Sequence, residues 1–309
     1  MFISNPDPYN CPAYRIGPFR TDDVSRNHAF PESDEATVYF NERFGKGTWQ
    51  YTYNGREAIK LALESYKLQK DDLVTILTTS QNFYISSCVT EQIETYCRWN
   101  REILPETKII FVNHEFGYPY PEMEKLMQTG LPIIEDCCTT FFSQDANAKI
   151  GHYGDFSLYS FPKFFPLQIG GLLVYNTQKP IDKSALIDVQ QNSYIQNALS
   201  YYLKGSTDLL ERRKRNYNYA LSLFSKLGFS NRFETDANIV PSVLLLKNNG
   251  VVTDLNALKN FLYAHGIQNS VFYGEDAFFI PCHQNLEMQD IQYFLFCVEK
   301  FLQSQTQPL

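Results

Sequence analysis

The chain has 309 residues, of which 44% are hydrophobic and 20% are charged, and its formal net charge at pH 7 is −7. This length accommodates one large domain and a smaller one, and the composition is ordinary for a globular protein. The negative charge argues against nucleic acid as a partner, because such partners select a basic surface. Basic residues cluster at positions 212–215, which we interpret as one polar face of a helix.

Membrane proteins and metal-binding proteins are also disfavoured. No apolar run approaches the roughly 20 residues that a membrane helix requires, and the first residues lack the basic and apolar segments of a signal peptide. The seven cysteines are irregularly spaced, and Cys and His residues do not pair at short intervals as metal ligands do. We therefore expect a cytoplasmic protein with reduced cysteines, no bound metal and no membrane association.

The chain opens with residues 1–47, which are rich in Pro, Asn, Asp and Arg and predict an extended N-terminal arm. The first clear helix begins after Asn54, a suitable N-cap, and Glu57 completes the pattern of a capping box. The free N–H groups of a helix N-terminus bind anions, Gly55 lets the backbone approach a ligand closely, and Arg56 adds a positive charge. The alternative is an ordinary capped helix with a surface arginine.

Short apolar runs then predict the strands of a parallel sheet, over residues 73–77, 108–112, 131–134, 156–161 and 172–175. The run over 131–134 ends at Glu135 and Asp136, and Lys163 follows the next run. Open parallel sheets hold ligands at the carboxyl ends of their strands, so Asp136 and Lys163 are candidate ligand-binding residues.

Asp136 and Lys163 together suit the cofactor pyridoxal phosphate (PLP). PLP needs a lysine amine that forms a Schiff base with its aldehyde, and a carboxylate that keeps its pyridine nitrogen protonated. The spacing of Asp136 and Lys163 alone is more often explained by a strand that ends in Glu-Asp and a solvated surface lysine than by a cofactor site.

The stretch from residue 131 to 175 resembles the DegT/DnrJ/EryC1/StrS family of sugar aminotransferases, in the fold type I (aspartate aminotransferase) superfamily. The motifs that carry the resemblance are Glu135-Asp136, Gly154-Asp155, Tyr159-Ser160-Phe161, Lys163 and Gly170-Gly171. In many family members the lysine lies five residues after the serine, whereas here it lies three after it. The shorter spacing resembles a branch of the family in which a proline follows, as Pro166 does here.

The resemblance implies a set of site residues. Cofactor-binding roles fall to Asp136, Lys163, Ser160, Gly55, Arg56, Phe83 and Thr139, with Lys163 also catalytic. Phe83 would stack on the pyridine ring, Thr139 would reach the ring hydroxyl, and Ser160 would bind the phosphate. His114, near the mouth of the site, would contact the substrate. Many members have an Asn-Tyr-Arg type loop that reaches the partner subunit's cofactor, and residues 177–205 do not contain one.

The resemblance also implies the fold, a mostly parallel central sheet with helices on both faces and a smaller C-terminal α/β domain. We expect a large PLP-binding domain over residues 48–205 and a small domain over 206–309. In the small domain the pattern predicts helices over 209–227, 254–265 and 288–302, and strands over 239–243 and 243–246.

The function implied is amino transfer, with glutamate as donor, to a keto-sugar attached to a nucleotide, in surface-polysaccharide or related sugar biosynthesis, by a homodimer. Three alternatives remain. A sugar dehydratase of the same family would carry histidine in place of Lys163, which argues against it. A PLP-binding regulatory protein, or an interaction protein with a decayed site that binds no cofactor, stays open.

Overall fold

The computed structural model describes residues 13–179 and 187–306. The chain divides into two compact units, one of Phe19–Ser206 and one that combines Met1–Pro18 with Thr207–Leu309. The division after Ser206 lies next to the boundary expected between the large and the small domain. Residues 180–186 lie outside the described residues. They belong to the segment 177–205, where many family members have an Asn-Tyr-Arg type loop. Within the described ranges, we find no helix with the length and apolar character needed to cross a membrane.

The unit Phe19–Ser206 is built on a seven-stranded sheet. Its strands are β1 Trp49–Thr52, β2 Leu73–Thr78, β3 Arg98–Asn100, β4 Thr107–Asn113, β5 Ile133–Asp136, β6 Phe156–Ser160 and β7 Gly171–Tyr175. They lie in the order β1-β7-β6-β5-β4-β2-β3. β7 runs antiparallel to both of its neighbours, and all other neighbouring strands pair in parallel. This arrangement confirms the predicted mostly parallel sheet.

Helices cover both faces of this sheet, which explains the continuous apolar runs of its inner strands. Residues 109–112 of β4 are all buried, as expected for a strand enclosed on two sides. α3 Gly55–Glu64 and α4 Ser87–Tyr96 pack on one face, against Phe111 and Ile134 among others. On the other face lies α2 Glu35–Phe44, whose Phe40 ring contacts Phe161. The remaining helices of the unit are α1 Asp23–His28, α5 Met123–Met127 and α6 Val189–Lys204.

The prediction of an arm with little regular structure over residues 1–47 is wrong for its later part, which contains α1 and α2. Phe40 and Phe44 are buried, so α2 belongs to the core of the unit. The Ala36 N–H in its first turn donates to Ser200 Oγ of α6 at 3.0 Å. The helix is therefore stabilised by residues distant in sequence, which local composition does not reveal.

The C-terminal unit has a four-stranded antiparallel sheet in the order β10-β11-β9-β8. Its strands are β8 Ser230–Asn231, β9 Val243–Lys247, β10 Ser270–Val271 and β11 Ala277–Pro281, and its helices are α7 Ser206–Phe224, α8 Leu255–Ala264 and α9 Met288–Thr306. The three predicted helices and the α/β character are confirmed. The predicted strand over 239–243 is wrong, since residues 239–242 form no strand.

A buried arginine explains why no strand forms at residues 239–242. The Arg213 side chain, on α7, is fully buried and donates from Nε to Pro241 O at 3.0 Å and from Nη2 to Ser242 O at 2.9 Å. Its Nη1 donates to Gln284 Oε1 at 3.1 Å, and burial lowers the pKa of Arg213 to about 10. The guanidinium therefore uses carbonyls that a strand would pair with a neighbouring strand.

Replacing Arg213 by lysine is expected to lower the free energy of unfolding of the C-terminal unit by about 2–3 kcal/mol, because an ammonium cannot reproduce the planar set of donors. A urea titration followed by circular dichroism measures the change. Arg215→Lys, at an exposed position on the same helix, is the matched control and should change stability by less than about 0.5 kcal/mol. Equal stability of the two variants would contradict the role assigned to Arg213.

Candidate active site

Three elements of the first unit meet at one edge of its sheet. Neighbouring strands β5 and β6 end at Asp136 and Ser160, and α3 begins at Gly55. A Cβ placed on Gly55 would lie 3.0 Å from Cys138 Sγ and 3.5 Å from Ser160 Cβ, so the N-terminus of α3 abuts the ends of both strands. The structure therefore brings Gly55, Asp136 and Ser160 together at the carboxyl ends of parallel strands, where such sheets hold ligands.

Asp136 is a buried carboxylate with 6% of its surface exposed. Its Oδ1 accepts the Cys138 N–H at 3.0 Å. Burial raises the pKa of Asp136, and the hydrogen bonds from Cys138 and the nearby charge of Lys163 act in the opposite direction. A buried carboxylate held in this way favours a partner that carries a positive charge or an N–H group.

Lys163 ends a turn of 3-10 helix, Phe161–Lys163, that directly follows β6. The Phe161 N–H donates to Gly170 O at 3.0 Å, and Phe161, Phe164 and Phe165 are fully buried, so the turn is anchored while Lys163 is exposed. Phe165 lies five residues after Ser160, where many members of the resembled family have their lysine. Since Phe165 is committed to the core, Lys163 is the residue of this segment that can offer an amine to a ligand.

The turn between β1 and α3 forms the opposite side of the site. Asn54 caps α3 by accepting the Glu57 N–H at 3.0 Å, which confirms the predicted N-cap. Glu57 accepts the N–H of Tyr53, one residue before the N-cap whose N–H a capping box would use. Arg56 is exposed and, with Lys60, lines an open cleft of about 520 Å³. Glu57 and Asp188 also line this cleft and offset the two positive charges, so the helix N-terminus itself is the feature that favours an anion.

The Gly170-Gly171 pair packs against the turn between β1 and α3. The Gly170 N–H donates to Tyr53 O at 2.7 Å. A Cβ placed on Gly171 would lie 2.6 Å from Thr52 Oγ1 and 2.8 Å from the carbonyl carbon of Asn54. Only glycine allows β7 to approach the backbone of the β1–α3 turn this closely.

Replacing Gly171 by alanine is therefore expected to destabilise the first unit by about 1–3 kcal/mol, because backbone atoms must move to admit the methyl group. It should also weaken anion binding at the start of α3, since the displaced turn carries Asn54. Thermal unfolding and PLP titration measure the two effects. The control is Gly205→Ala, where the added Cβ would meet only Tyr202 O at 3.9 Å and little change is expected.

His114 and Thr139 take part in a buried hydrogen-bond network beside Asp136. His114 is fully buried, its Nδ1 accepts the Tyr120 N–H at 2.9 Å, and its Nε2 lies 3.3 Å from Glu135 Oε2. Thr139 Oγ1 donates to His114 O at 2.7 Å. Because both ring nitrogens are engaged inside the protein, we assign His114 a supporting role and do not include it among the proposed substrate contacts.

The structure also reveals a role for Glu135 that the sequence did not indicate. Its Oε1 accepts the N–H groups of Tyr153 at 2.7 Å and Gly154 at 2.8 Å, and its Oε2 accepts the Gly151 N–H at 3.0 Å. Strand alternation places Glu135 and Asp136 on opposite faces of the sheet. This alternation could have indicated that only one of the two carboxylates faces the candidate site. His114, Glu135 and Cys137 lie within 4.8 Å of one another, but both Glu135 oxygens already accept hydrogen bonds, so we assign this cluster a structural role.

Phe83 stands apart from the other predicted residues. It lies in the loop after β2, which β4 separates from β5 in the sheet, and 69% of its surface is exposed. Among the described residues, no ring contact or hydrogen bond joins Phe83 to Asp136, Ser160 or Lys163. Its stacking role stays a prediction.

Comparisons with known proteins identify the family and the fold of the chain. The sequence model of the DegT/DnrJ/EryC1/StrS aminotransferase family matches residues 39–193, about half of the chain, including every predicted site residue. Among solved structures, the aminotransferase TlmJ from Streptoalloteichus hindustanus has a TM-score of 0.72 at 17% identity, over 93% of this chain and 95% of that one. No curated protein matches the sequence.

Two further solved structures are similar along almost the whole chain. Spr1654 from Streptococcus pneumoniae, in its PLP form, has a TM-score of 0.70 at 14% identity and covers 99% of this chain and 100% of its own. The sugar aminotransferase CalS13 from Micromonospora echinospora has a TM-score of 0.64 at 17% identity, over 95% and 99%. These structures confirm the predicted fold of a PLP-type aminotransferase. By the match of its sequence to the family, the chain belongs to the DegT/DnrJ/EryC1/StrS aminotransferases.

Proposed function

We propose that the chain is a PLP-dependent aminotransferase that transfers an amino group from glutamate to a keto-sugar attached to a nucleotide. The observation that carries the proposal is the meeting of Asp136, Lys163 and the N-terminus of α3 at the carboxyl ends of β5 and β6. These are the three groups that PLP requires: a carboxylate for its pyridine nitrogen, an amine for its aldehyde, and N–H donors for its phosphate.

The residues present fit the phosphate end of PLP. Gly55, the first residue of α3, is buried, and a Cβ placed there would press on Cys138 Sγ at 3.0 Å, so the lack of a side chain lets the start of α3 lie close to the strand ends. Ser160 adjoins Gly55 and offers a hydroxyl, and the exposed Arg56 adds a positive charge. We propose that these three residues bind the phosphate.

The residues also fit the ring of PLP. Asp136 is buried and would accept the pyridine N–H, which offsets the burial that now raises its pKa. Thr139 is half-buried three residues after β5 and would accept a hydrogen bond from the ring hydroxyl, since its own proton is donated to His114 O. Phe83 is the proposed stacking residue on the ring face.

Bound PLP would supply an aldehyde that accepts the amino group and a ring that delocalises electrons. The residues of the chain do the rest. Lys163 holds the cofactor through its amine, is released when the donor amine takes its place, and then moves a proton from the donor Cα. Asp136 keeps the pyridine nitrogen protonated, which maintains the capacity of the ring to accept electrons.

A spectroscopic series tests the proposal in three steps. The purified protein with PLP should show a yellow absorbance band, and borohydride should remove the band and leave the cofactor covalently attached to the protein. Without borohydride, glutamate should bleach the band, and a nucleotide-linked keto-sugar should then restore it. The same keto-sugar without its nucleotide is the control and should restore the band poorly. No band with excess PLP would indicate a decayed site, and a band that no amino donor bleaches would indicate a PLP-binding regulator.

We further propose that the enzyme acts as a cytoplasmic homodimer in surface-polysaccharide or related sugar biosynthesis. Support comes from the family resemblance of its site and from the exposure of Arg56 at the start of α3 and of Phe83 in the loop after β2. Light scattering coupled to size-exclusion chromatography gives the mass in solution, and a monomer that carries out the full reaction would contradict the dimer.

A further inference from the structure

The loop after β2 presents the exposed Phe83 ring on a backbone that other side chains hold in place. Arg101, which directly follows β3, donates from Nη2 to Thr78 Oγ1 at 2.9 Å and to Asn82 O at 2.6 Å. Thr78 is the last residue of β2, and the Asn82 carbonyl belongs to the peptide group that joins Asn82 to Phe83. One guanidinium nitrogen therefore ties the start of the loop to the peptide group of the exposed residue.

Glu115, two residues after β4, anchors the middle of the same loop. It is buried, its Oε2 accepts the Ser80 N–H at 2.6 Å, and its own N–H donates to Thr79 Oγ1 at 3.0 Å. Gln81, the next residue of the loop, has a φ of 59°, in the left-handed region that residues other than glycine rarely adopt. A backbone in this conformation persists where surrounding contacts stabilise it, and Arg101 and Glu115 supply such contacts.

The loop also begins in the same row of the sheet as Asp136. Thr78 pairs with Asn113 of β4, and Asn113 pairs with Asp136 of β5. Because neighbouring strands lie roughly 4.8 Å apart, about 10 Å separates the backbones of Thr78 and Asp136. The loop therefore leaves the sheet at the edge where the ring of PLP is proposed to bind.

We propose that Arg101 is a positioning residue for Phe83, because its bond to the Asn82 carbonyl fixes the backbone from which the Phe83 ring reaches the face of PLP. The inference rests on the proposed function for the identity of the ligand and for the stacking role of Phe83. Arg101 acts through Phe83 and is assigned no contact with the cofactor. Its hold on the loop is a property of the protein alone, and it can be tested without PLP.

An arginine suits this position better than another donor would. The N–H groups of a guanidinium point in fixed directions within one plane, so a single nitrogen can hold the Thr78 hydroxyl and the Asn82 carbonyl together. Burial lowers the pKa of Arg101, and the negative charge of Glu115 acts in the opposite direction. The two side chains that anchor the loop thus carry opposite charges and favour each other's ionised form.

The first experiment uses the protein without PLP and measures cleavage after Phe83 by chymotrypsin, with mass spectrometry to identify the products. Arg101→Met removes the donors and keeps the apolar stem, so the loop should open more often and be cut on the order of 10-fold faster. Cleavage after Tyr273, in a turn of the C-terminal unit, is the internal reference and should not change. Equal rates of cleavage after Phe83 in the wild type and Arg101→Met would overturn the role of Arg101 in holding the loop.

Two further variants control this measurement. Arg98→Met, at an exposed arginine of β3 that donates to Asp71 O, should leave the rate of cleavage after Phe83 unchanged. Thr78→Val keeps the shape of a buried side chain and removes one of the two acceptors of Arg101, so cleavage should accelerate by a smaller factor. It provides the same test should Arg101→Met not fold.

The second experiment measures PLP affinity and the visible circular dichroism of bound PLP in a double-mutant cycle of Arg101→Met and Phe83→Ala. Each single variant should weaken binding by about 3- to 10-fold, as expected for a lost aromatic contact, and should reduce the dichroic band, which reports the orientation of the ring. In the Phe83→Ala background, Arg101→Met should change affinity by less than about 2-fold, because no aromatic ring is left to position. Arg101→Lys keeps a charged donor and should recover part of the affinity.

The outcomes separate this inference from the proposed function. A wild type that binds PLP, with Arg101→Met weakening binding equally with and without the Phe83 ring, would show a general structural effect and overturn the positioning role. A wild type that binds no PLP at any concentration would overturn the proposed function and with it the PLP part of this inference. The rates of cleavage by chymotrypsin would still decide whether Arg101 holds the loop.

Discussion

Lys163→Ala is expected to abolish the covalent attachment of PLP and to lower the rate of amino transfer by a factor on the order of 10³ or more. Lys163 ends the turn that follows β6, and its charge acts on both Asp136 and Cys138. The buried phenylalanines of the turn fix the backbone, so the truncated variant should keep its fold. The loss therefore reports the missing amine.

The measurement is the visible absorbance of the protein with PLP, followed by borohydride reduction and peptide mass spectrometry. Lys60→Ala is the matched control, because Lys60 is an exposed lysine of α3 that lines the cleft at the start of that helix. The control should retain the band and the label. Reduced cofactor attached to Lys60 would show that Lys163 is not the attachment residue. So would Lys163→Ala protein that still shows the band and still gains covalently attached cofactor on borohydride reduction.

The proximity of Asp136 and Lys163 follows from the sequence more directly than the packing of the residues around them does. Asp136 and Lys163 each directly follow or end an apolar run, and parallel strands bring their carboxyl ends to one edge, so a local pattern fixes their proximity. The N-cap of α3 at Asn54 is equally local. Such features need no knowledge of distant residues.

Features that depend on distant residues could not be predicted. α2 gains the cap of its first turn from Ser200, and the carbonyls at residues 241–242 bond to Arg213 of α7. The positions of Cys138 against Gly55 and of Glu135 against the loop at 151–154 also require the tertiary fold. A resemblance to a family supplied site residues, but it gave no contact for Phe83.

Glu135→Ala is expected to lower the free energy of unfolding of the first unit by about 3–5 kcal/mol. The carboxylate is fully buried and accepts three backbone N–H groups of the segment between β5 and β6, together with the Ser157 hydroxyl at 3.1 Å. Removing it leaves several donors without an acceptor in a place that water does not reach. Because the same segment leads into β6, the ends of β5 and β6 should lose their fixed separation, and PLP affinity should fall as well.

Tryptophan fluorescence in a urea titration measures this change selectively, since the chain has two tryptophans, Trp49 and Trp99, and both lie in the first unit. Glu135→Gln keeps the shape but replaces one acceptor oxygen by a donor, so an intermediate loss of about 1–3 kcal/mol is expected. Glu106→Ala, at an exposed position in the same unit, should change stability by less than about 0.5 kcal/mol. If Glu135→Ala were as stable as this control, the segment would be held by its turns alone, and Glu135 would have to be reconsidered as a group available to a ligand.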